Sequence, residues 1–336
     1  MRRFLFVAFS LFMAWPAAAN DTTAELETGG LVFTRTDAIE MESEDLFISR
    51  DEVRVAYKFR NVSDEDVETI VAFPMPDIDP APETNLSIPD MSSDNFLDFK
   101  VTIDGKDMQP ALDQRAFAVE VDVTDELRRN AIPLFPYDDS IDRLVSAKPE
   151  DLRKDWLSRG IIAVQSYDIG DGKGMVDHYA PGWKLKSTYW WRMTFPTDRV
   201  VDVRHTYKPS VGGTVGLNFV EDGKVGGDQI DYYRTTYCVD EAFERAVQKA
   251  VSAAGEDTTP YYESWISYVL TTGGNWRSSI GKFKLTIDKG APENLVSFCG
   301  EGVTKTGATT FEMTAEDFYP EDDLYILLLT KPDPVE

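Results

Sequence analysis

Residues 53–59 read Val-Arg-Val-Ala-Tyr-Lys-Phe. Val53, Val55, Tyr57 and Phe59 occupy every second position, with smaller or more polar side chains between them. A repeat of two places one set of side chains in a core and the other in water, because successive side chains of a strand point to opposite faces. The stretch therefore predicts a half-buried β-strand.

The same kind of pattern extends in both directions along the chain. A turn rich in Asn, Ser and Asp at 61–66 separates this strand from 67–73, its expected partner. Asp104-Gly105, a dipeptide preferred in type I′ hairpin turns, closes a predicted strand at 96–103. Further predicted strands, short and rich in β-branched or aromatic residues, are 31–34, 46–49, 115–123, 184–195, 199–207, 261–271, 283–287, 295–299 and 324–329. The last of these is apolar throughout, which predicts burial on both faces.

Two helices are expected among these strands, near 149–159 and 240–254. Pro149 suits the first turn of the first helix, and Asp240 is a capping residue for the second. We therefore predict a mainly β protein, built from antiparallel β-sandwich layers with a few attached helices.

The pattern leaves two domain arrangements open. Residues 20–336 form either one continuous region or two lobes, with a β-sandwich lobe at 20–123 and a second β lobe, containing a helix and the cysteines, at 181–336. The prolines and acidic residues of 124–180 mark that stretch as a helical and loop insertion between the lobes.

The first nineteen residues have the pattern of a secretory signal peptide. Arg2 and Arg3 precede an apolar run, and Ala17 to Ala19 form a cleavage signal before Asn20. The run is too short to span about 30 Å of hydrocarbon, so we do not expect it to anchor the chain. We expect cleavage between Ala19 and Asn20 and a periplasmic or secreted mature protein that does not span the membrane.

The charge of the chain excludes some classes of partner. There are 59 acidic and 34 basic residues, which give a net charge of −25. Such a surface repels phosphate backbones and anionic lipid headgroups. Nucleic acid and bilayer surfaces are therefore not expected partners, whereas a cation or a basic partner stays open.

Cys238 and Cys299 are the only cysteines of the sequence. Two thiols in an oxidising compartment most simply pair, and closing a loop of about 60 residues stabilises the fold by about 4 kcal/mol in the chain-entropy model. A metal site is less favoured, because thiolate sites usually need four ligands and the chain has only two histidines, His178 and His205.

Motifs scattered along the chain resemble one bacterial family. They are Gly29-Gly30-Leu31-Val32-Phe33, Val71-Ala72-Phe73-Pro74-Met75-Pro76-Asp77, Tyr237-Cys238-Val239-Asp240 and Val296-Ser297-Phe298-Cys299-Gly300. Together they look like domain of unknown function 4424, over essentially the whole mature chain. The resemblance implies a secreted Gram-negative protein and implies no activity. Residues 57–76 are also similar to the vault and inter-α-trypsin inhibitor β-sandwich domain, a likeness of fold that transfers no function.

Catalytic motifs are missing from the sequence. It contains no Gly-x-Ser-x-Gly elbow, no His-Glu-x-x-His zinc helix and no phosphate-binding loop. The position of His205 within a strand favours a core histidine, and the position of His178 in a loop leaves a triad or metal role open. We therefore assign no catalytic, cofactor-binding or metal-binding residue.

Two acidic loops leave Ca²⁺ binding and carboxylate chemistry open. The carboxylates concerned are Asp168 and Asp171 in one loop and Asp77, Asp79, Asp90 and Asp94 in the other. Neither loop has the spacing of an EF-hand, so solvated turns are the preferred interpretation. Two such carboxylates in one cleft would suit a periplasmic hydrolase acting on glycan or peptide.

Aromatic residues provide the remaining candidates for a binding site. Tyr189, Trp190 and Trp191 are consecutive, so a strand must turn Trp190 away from its two neighbours. We take Trp190, Trp191 and Trp276 as possible binding aromatics, with packing between sheets as the alternative. The leading functional expectation is a non-enzymatic binding or interaction module whose partner is an envelope protein, a peptide or a glycan, and a carboxylate-based hydrolase is the rival.

Overall fold

The structure is a computed structural model that describes residues 22–27, 30–80, 85–90, 93–168, 174–254 and 258–332. The predicted signal peptide, its cleavage site at Ala19 and Asn20, and Asp171 of the first acidic loop lie outside the described residues. Among the described residues there is no helix with the length and apolar character needed to cross a membrane.

Strands dominate the chain, as the period-two pattern predicts. In chain order the strands are β1 (Thr22–Glu27), β2 (Gly30–Thr34), β3 (Ile39–Ser49), β4 (Val53–Asn61), β5 (Val67–Pro74), β6 (Asn85–Ser87), β7 (Lys100–Ile103), β8 (Lys106–Met108), β9 (Ala111–Ala118), β10 (Val121–Asp122), β11 (Ile162–Tyr167), β12 (Val176–Pro181), β13 (Trp183–Phe195), β14 (Val200–Tyr207), β15 (Val211–Thr214), β16 (Val220–Glu221), β17 (Lys224–Val225), β18 (Tyr262–Tyr268), β19 (Ile280–Asp288), β20 (Leu295–Phe298), β21 (Thr304–Lys305), β22 (Thr310–Phe318) and β23 (Leu324–Thr330). The helices are α1 (Thr124–Arg129), α2 (Ile141–Ser146), α3 (Glu150–Ser158), α4 (Ile230–Thr236) and α5 (Glu241–Ala254), with a short 3₁₀ helix at Thr271–Asn275.

Three sheets form the body of the fold. Sheet A has six strands in the order β10-β9-β13-β5-β1-β2, sheet B has eight in the order β21-β22-β19-β3-β4-β14-β7-β8, and sheet C has five in the order β20-β23-β18-β15-β6. The strands β3 and β19 pair in parallel, and the other strand pairs of these sheets are antiparallel. The prediction of a mainly β protein with antiparallel layers and a few helices is confirmed.

The main core lies between sheet B on one side and sheets A and C on the other. The ring of Phe59 in β4 packs on Phe195 of β13 and on Trp276, with centroids 5.8 Å and 4.4 Å away. The hydroxyl groups of Tyr57 in β4 and Tyr268 in β18 lie 3.0 Å apart. The apolar set first seen in residues 53–59 is thus the set that joins the layers.

The strands of the two predicted lobes share their sheets. Strand β13 pairs with β5 and β9, β14 pairs with β4 and β7, and β19 pairs with β3. Each of these pairs joins a strand from 20–123 to a strand from 181–336. The stretch 124–180 holds α1 to α3 and the ribbon β11–β12, which pack on Ala116, Ala118 and Trp183 at one end of sheet A.

The outer face of sheet C carries a separate cover. It consists of α4, α5 and the hairpin β16–β17, and its cluster includes Tyr233, Phe243 and Val247. The linker between the two helices is joined to the end of β20 by the disulfide Cys238–Cys299, whose Cα atoms lie 5.0 Å apart. The predicted disulfide is therefore present in the structure.

Local signals agree with the structure at several points. The Asp240 carboxylate accepts a hydrogen bond of 2.7 Å from the Phe243 N–H at the start of α5, as expected of a capping residue. Asp104 and Gly105 have φ values of 49° and 75°, as a type I′ turn requires. The expected strand at 96–103 begins only at Lys100, because Asp98 has a φ of 53° and breaks the extended run.

Candidate functional site

Strand β13 separates buried from accessible side chains on the two faces of sheet A. From Trp183 to Phe195 its residues alternate between full burial and partial or full exposure. Tyr189 and Trp191 point into the core, and Trp190 between them lies half-buried on the outer face. The expectation that Trp190 faces away from its two neighbours is therefore confirmed.

Two of the three predicted binding aromatics are unavailable to a ligand. Trp191 has 3% of its surface exposed and Trp276 has none. Both pack in the main core, because an indole gains most by burial between two sheets. The expectation of a binding role for Trp191 and Trp276 is corrected here, and Trp190 alone of the three faces outward.

Small and apolar residues surround Trp190 on the outer face of sheet A. Ala72 of β5 and Ala111 of β9 are its cross-strand neighbours. The next row across the sheet contains Phe33, Ala24, Ile70 and Arg192 in register. Phe33 is 39% exposed and Trp190 is partly exposed, whereas Ala24, Ile70 and Ala72 are buried.

Ion pairs border the aromatic part of this face. The Arg115 guanidinium lies 2.9 Å from the Asp113 carboxylate and 3.0 Å from that of Asp122. The Lys186 ammonium lies 5.3 Å from the centre of the Phe117 ring, within the range of a cation–π contact. We call Trp190, Phe33, Arg192, Arg115 and Phe117 the sheet A face.

The carboxylates of Asp77 and Asp79 lie at the edge of the sheet A face. Lys186 Nζ is 3.6 Å from Asp77, and Lys184 Nζ is 4.0 Å from Asp77 and 2.9 Å from Glu120. Burial raises the pKa of Asp77 and of Asp79, and the two lysines act in the opposite direction. Two desolvated carboxyl groups are thus brought together with two ammonium groups.

The two histidines have different surroundings. His205 is buried among rings that include Phe73 and Trp191, and burial lowers its pKa to about 3, so it is neutral. His178 Nδ1 lies 2.8 Å from Asp142, and its ring stacks on Tyr167. Its Nε2 has no hydrogen-bond partner among the described residues.

The acidic loops do not form a metal-binding cluster within the described part of the chain. No group of three His, Cys, Asp or Glu side chains there is placed to hold an ion. Asp168 and Asp90 are exposed, and Asp171 belongs to the residues that the structure leaves undescribed. Ca²⁺ binding, which the sequence leaves open, needs its own measurement.

A buried carboxyl group in sheet C has no counterpart in the sequence predictions. Glu263 is 1% exposed and accepts hydrogen bonds of 2.6 Å from the Tyr233 hydroxyl and 2.7 Å from the Asn218 N–H. Burial raises its pKa to about 7. Trp265, two residues along on the same strand face, packs against the cluster beneath α4 and α5.

One known family matches nearly the whole chain. The profile of the family described as Domain of unknown function (DUF4424) matches residues 19–327. The chain belongs to this family. The DUF4424 match includes every strand of sheets A and B and both cysteines, so the family resemblance stated from the motifs is confirmed. No curated protein matches the chain.

Two solved structures show a distant likeness to this DUF4424 protein. A Legionella pneumophila protein described as a candidate nutrient binding protein is 15% identical, with a TM-score of 0.45 over 93% of this chain and 70% of that one. An M1 zinc metallopeptidase from Deinococcus radiodurans is 8% identical, with a TM-score of 0.26 over 88% of this chain and 43% of the enzyme. Neither likeness is close enough to carry an argument about function.

Proposed function

We propose that this DUF4424 protein is a non-enzymatic interaction module of the bacterial envelope that binds a polypeptide partner through the sheet A face. The observation that carries the proposal is the half-buried Trp190 on the outer face of sheet A, next to the exposed Phe33 and to Arg192. Tryptophan and arginine are enriched among the residues that dominate protein interfaces.

The ion pairs around Trp190 favour an interface over a reaction centre. Arg115 and Lys184 each have two carboxylates nearby, and Lys186 has one. Paired charges of this kind suit the polar rim of an interface, where water is excluded only when the partner is bound. They also keep the face close to neutral in a chain with a net charge of −25.

Export from the cytoplasm is part of the same proposal. The signal peptide pattern at residues 1–19 supports it, as does the disulfide Cys238–Cys299, because disulfides persist in oxidising compartments. Cell fractionation with mass spectrometry of the N-terminus tests it. We expect a periplasmic or secreted protein that begins at Asn20, and an intact Met1 in the cytoplasm would contradict export.

The binding proposal is tested by affinity capture from an envelope extract with three baits. They are the wild-type protein, the Trp190→Ala variant and a Tyr262→Ala control, which removes another exposed aromatic side chain from sheet C. We expect one polypeptide to be retained by the wild type and the control and lost with Trp190→Ala. Retention of the same polypeptides by all three baits would contradict the proposal. Retention of glycan alone would show that the partner is a glycan and not a polypeptide.

A carboxylate-based hydrolase is the second candidate function. It is favoured by one observation, the raised pKa of both Asp77 and Asp79, because such shifts cluster at reaction sites. Purified peptidoglycan incubated with the protein provides the test. Release of soluble fragments by the wild type but not by an Asp77→Asn, Asp79→Asn variant would support hydrolysis, and no release by either protein would remove this candidate.

A further inference from the structure

Strand β2 forms one edge of sheet A, beside the aromatic residues of the sheet A face. Among the described residues it pairs only with β1, through five residues in antiparallel register. Its sequence, Gly-Leu-Val-Phe-Thr, contains no proline and no charged residue. Natural proteins protect an edge strand with short length, charge or proline, because its free backbone groups otherwise pair with another chain.

The other edges of sheets A, B and C have more of this protection. Strands β10 and β21 have two residues each, β6 and β8 have three, and β8 includes Lys106 and Asp107. Strand β20 has four residues and leads directly to Cys299 of the disulfide. Within the described sheets, β2 is therefore the longest edge strand and an uncharged one.

The direction of the backbone groups can be followed across sheet A. The Ser187 carbonyl accepts a hydrogen bond of 2.8 Å from the Met75 N–H, so Ser187 and every second residue of β13 after it direct their backbone groups toward β5. In antiparallel strands this direction alternates along each strand, and the register passes it from β5 to β1 and from β1 to β2. Leu31 and Phe33 consequently direct their N–H and C=O groups away from the sheet, to the free side of β2.

This edge is held in place by one residue of the 3₁₀ helix. The Asn275 side-chain amide donates a hydrogen bond of 2.8 Å to the Thr22 hydroxyl at the start of β1. The Asn275 carbonyl accepts one of 3.0 Å from the Thr36 N–H, just after β2. A preformed edge loses little conformational freedom when a partner binds, which favours affinity.

We propose that β2 binds an extended segment of another polypeptide, which adds to sheet A as a seventh strand. The inference rests on the proposed interaction function and names the form in which the partner binds. Backbone donors and acceptors that alternate along an edge are matched by the backbone of a second strand, and a glycan has no such repeat. A second copy of this chain is disfavoured as the occupant, because each copy carries a net charge of −25.

The outer face next to β2 indicates which side chains the segment has. Leu31 packs against a small apolar cluster of Ala24, Ile70 and Ala72, and Phe33 is 39% exposed. Residues of an added strand that lie opposite Leu31 and Phe33 share their face, with Cβ atoms about 5 Å away. We therefore expect an apolar residue at every second position of the segment.

Amide hydrogen exchange of the purified protein, resolved by residue with NMR, tests the geometry. The probe is a soluble peptide that alternates valine and threonine and ends in lysine. In the free protein, Leu31 and Phe33 should exchange fast, whereas Val32 and Thr34, which bond to β1, should exchange slowly. With the peptide, exchange of Leu31 and Phe33 should slow about tenfold or more, and exchange of Val32 should not change.

Fluorescence anisotropy with the same labelled peptide tests the edge by substitution. Leu31→Pro removes an N–H that points away from β1, so it leaves the pairing of β1 with β2 in place and should raise the Kd about tenfold. Leu31→Ala is the matched control, which removes only side-chain contacts and should raise the Kd about threefold or less. The same peptide with every internal amide N-methylated should not bind the wild-type protein, and this test holds even if Leu31→Pro fails to fold.

Unchanged exchange of Leu31 and Phe33, equal Kd values for Leu31→Pro and Leu31→Ala, or binding of the methylated peptide would each overturn strand addition. A dimer in sedimentation with both amides already protected would assign the edge to a second copy and overturn it too. Affinity capture separates this inference from the proposed function. A polypeptide lost with Trp190→Ala but retained by Leu31→Pro contradicts strand addition alone, and one retained by both variants contradicts both proposals.

Discussion

Sheets A and C both pack against the inner face of sheet B, but their outer faces differ. The outer face of sheet C is closed by α4 and α5, and the carboxyl group of Glu263 is buried beneath that cover. The outer face of sheet A leaves Trp190 half-buried and Phe33 exposed. We therefore expect substitutions on the covered face of sheet C to change the free energy of unfolding, and substitutions on the outer face of sheet A to change binding.

The largest expected effect comes from the neighbouring tryptophans of β13. Trp191→Ala should lower the free energy of unfolding by about 3–5 kcal/mol, because it leaves a cavity between the sheets. Trp190→Ala should lower it by roughly 1–2 kcal/mol, because part of the indole is already in water. Urea unfolding of both variants measures the contrast, and equal losses would break the distinction between the two faces of sheet A.

The disulfide provides the next largest effect, and it acts on the cover of sheet C. A Cys238→Ser, Cys299→Ser variant should lose about 4 kcal/mol of unfolding free energy, since the bond closes a loop with a sequence separation of 61 residues. Hydrogen exchange should speed up in α4 and α5 and stay unchanged in β13. Reduced wild-type protein is the matched control, and faster exchange spread evenly over both sheets would count against a local role for the bond.

Glu263 gives the covered face a dependence on pH. Its pKa is raised to about 7 from 4.5, so the folded state holds the proton more tightly than the unfolded chain. The contribution of Glu263 to the free energy of unfolding is therefore fully present below about pH 4.5. It falls by about 3 kcal/mol as the pH rises to about 7 and stays constant above that pH. Glu263→Gln should abolish this fall in denaturant titrations across the range.

Tyr233→Phe is the matched control for the Glu263 prediction. It removes the hydroxyl that donates to the carboxylate and leaves the rest of the ring in place. Since that hydrogen bond favours the ionised form, its loss should raise the pKa of Glu263 further and extend the fall in stability above about pH 7. A pH profile shared by the wild type and Glu263→Gln would show that Glu263 does not control it.

The smallest expected effect on stability comes from the ion pairs of the sheet A face. Arg115→Met should change the free energy of unfolding by less than about 1 kcal/mol, because Arg115 and its partners Asp113 and Asp122 are all partly in solvent. Thermal melting at low and high salt measures it. A loss of several kcal/mol would mean that the open face is a structural element like the cover of sheet C.

Much of the local structure could be predicted from the residues themselves. The alternation in 53–59 corresponds to β4, and the expected helix at 240–254 corresponds to α5 from Glu241 to Ala254. The apolar run at 324–329 is β23, in which Ile326 to Leu329 are buried. These elements follow from periodicity and capping, which act within one turn or one pair of strands.

The remaining features depend on contacts between distant parts of the chain. The parallel pairing of β3 with β19 joins residues that are more than two hundred positions apart, and no local pattern encodes it. The parity of β13 shows that Trp190 and Trp191 face apart, but both indoles are apolar, so only the position of sheet B decides which is buried. The burial of Glu263 likewise depends on α4, which supplies the Tyr233 hydroxyl from a separate segment.

Oxidative footprinting of the tryptophans, in the purified protein and in intact bacterial envelopes, tests the central claim most directly. Hydroxyl radicals should modify Trp190 in the purified protein and leave Trp191 and Trp276 unmodified in both samples, because those two are buried. In the envelope we expect Trp190 to be protected by its partner. Equal modification of Trp190 in both samples would contradict the account, because the face would then be open where a partner should cover it.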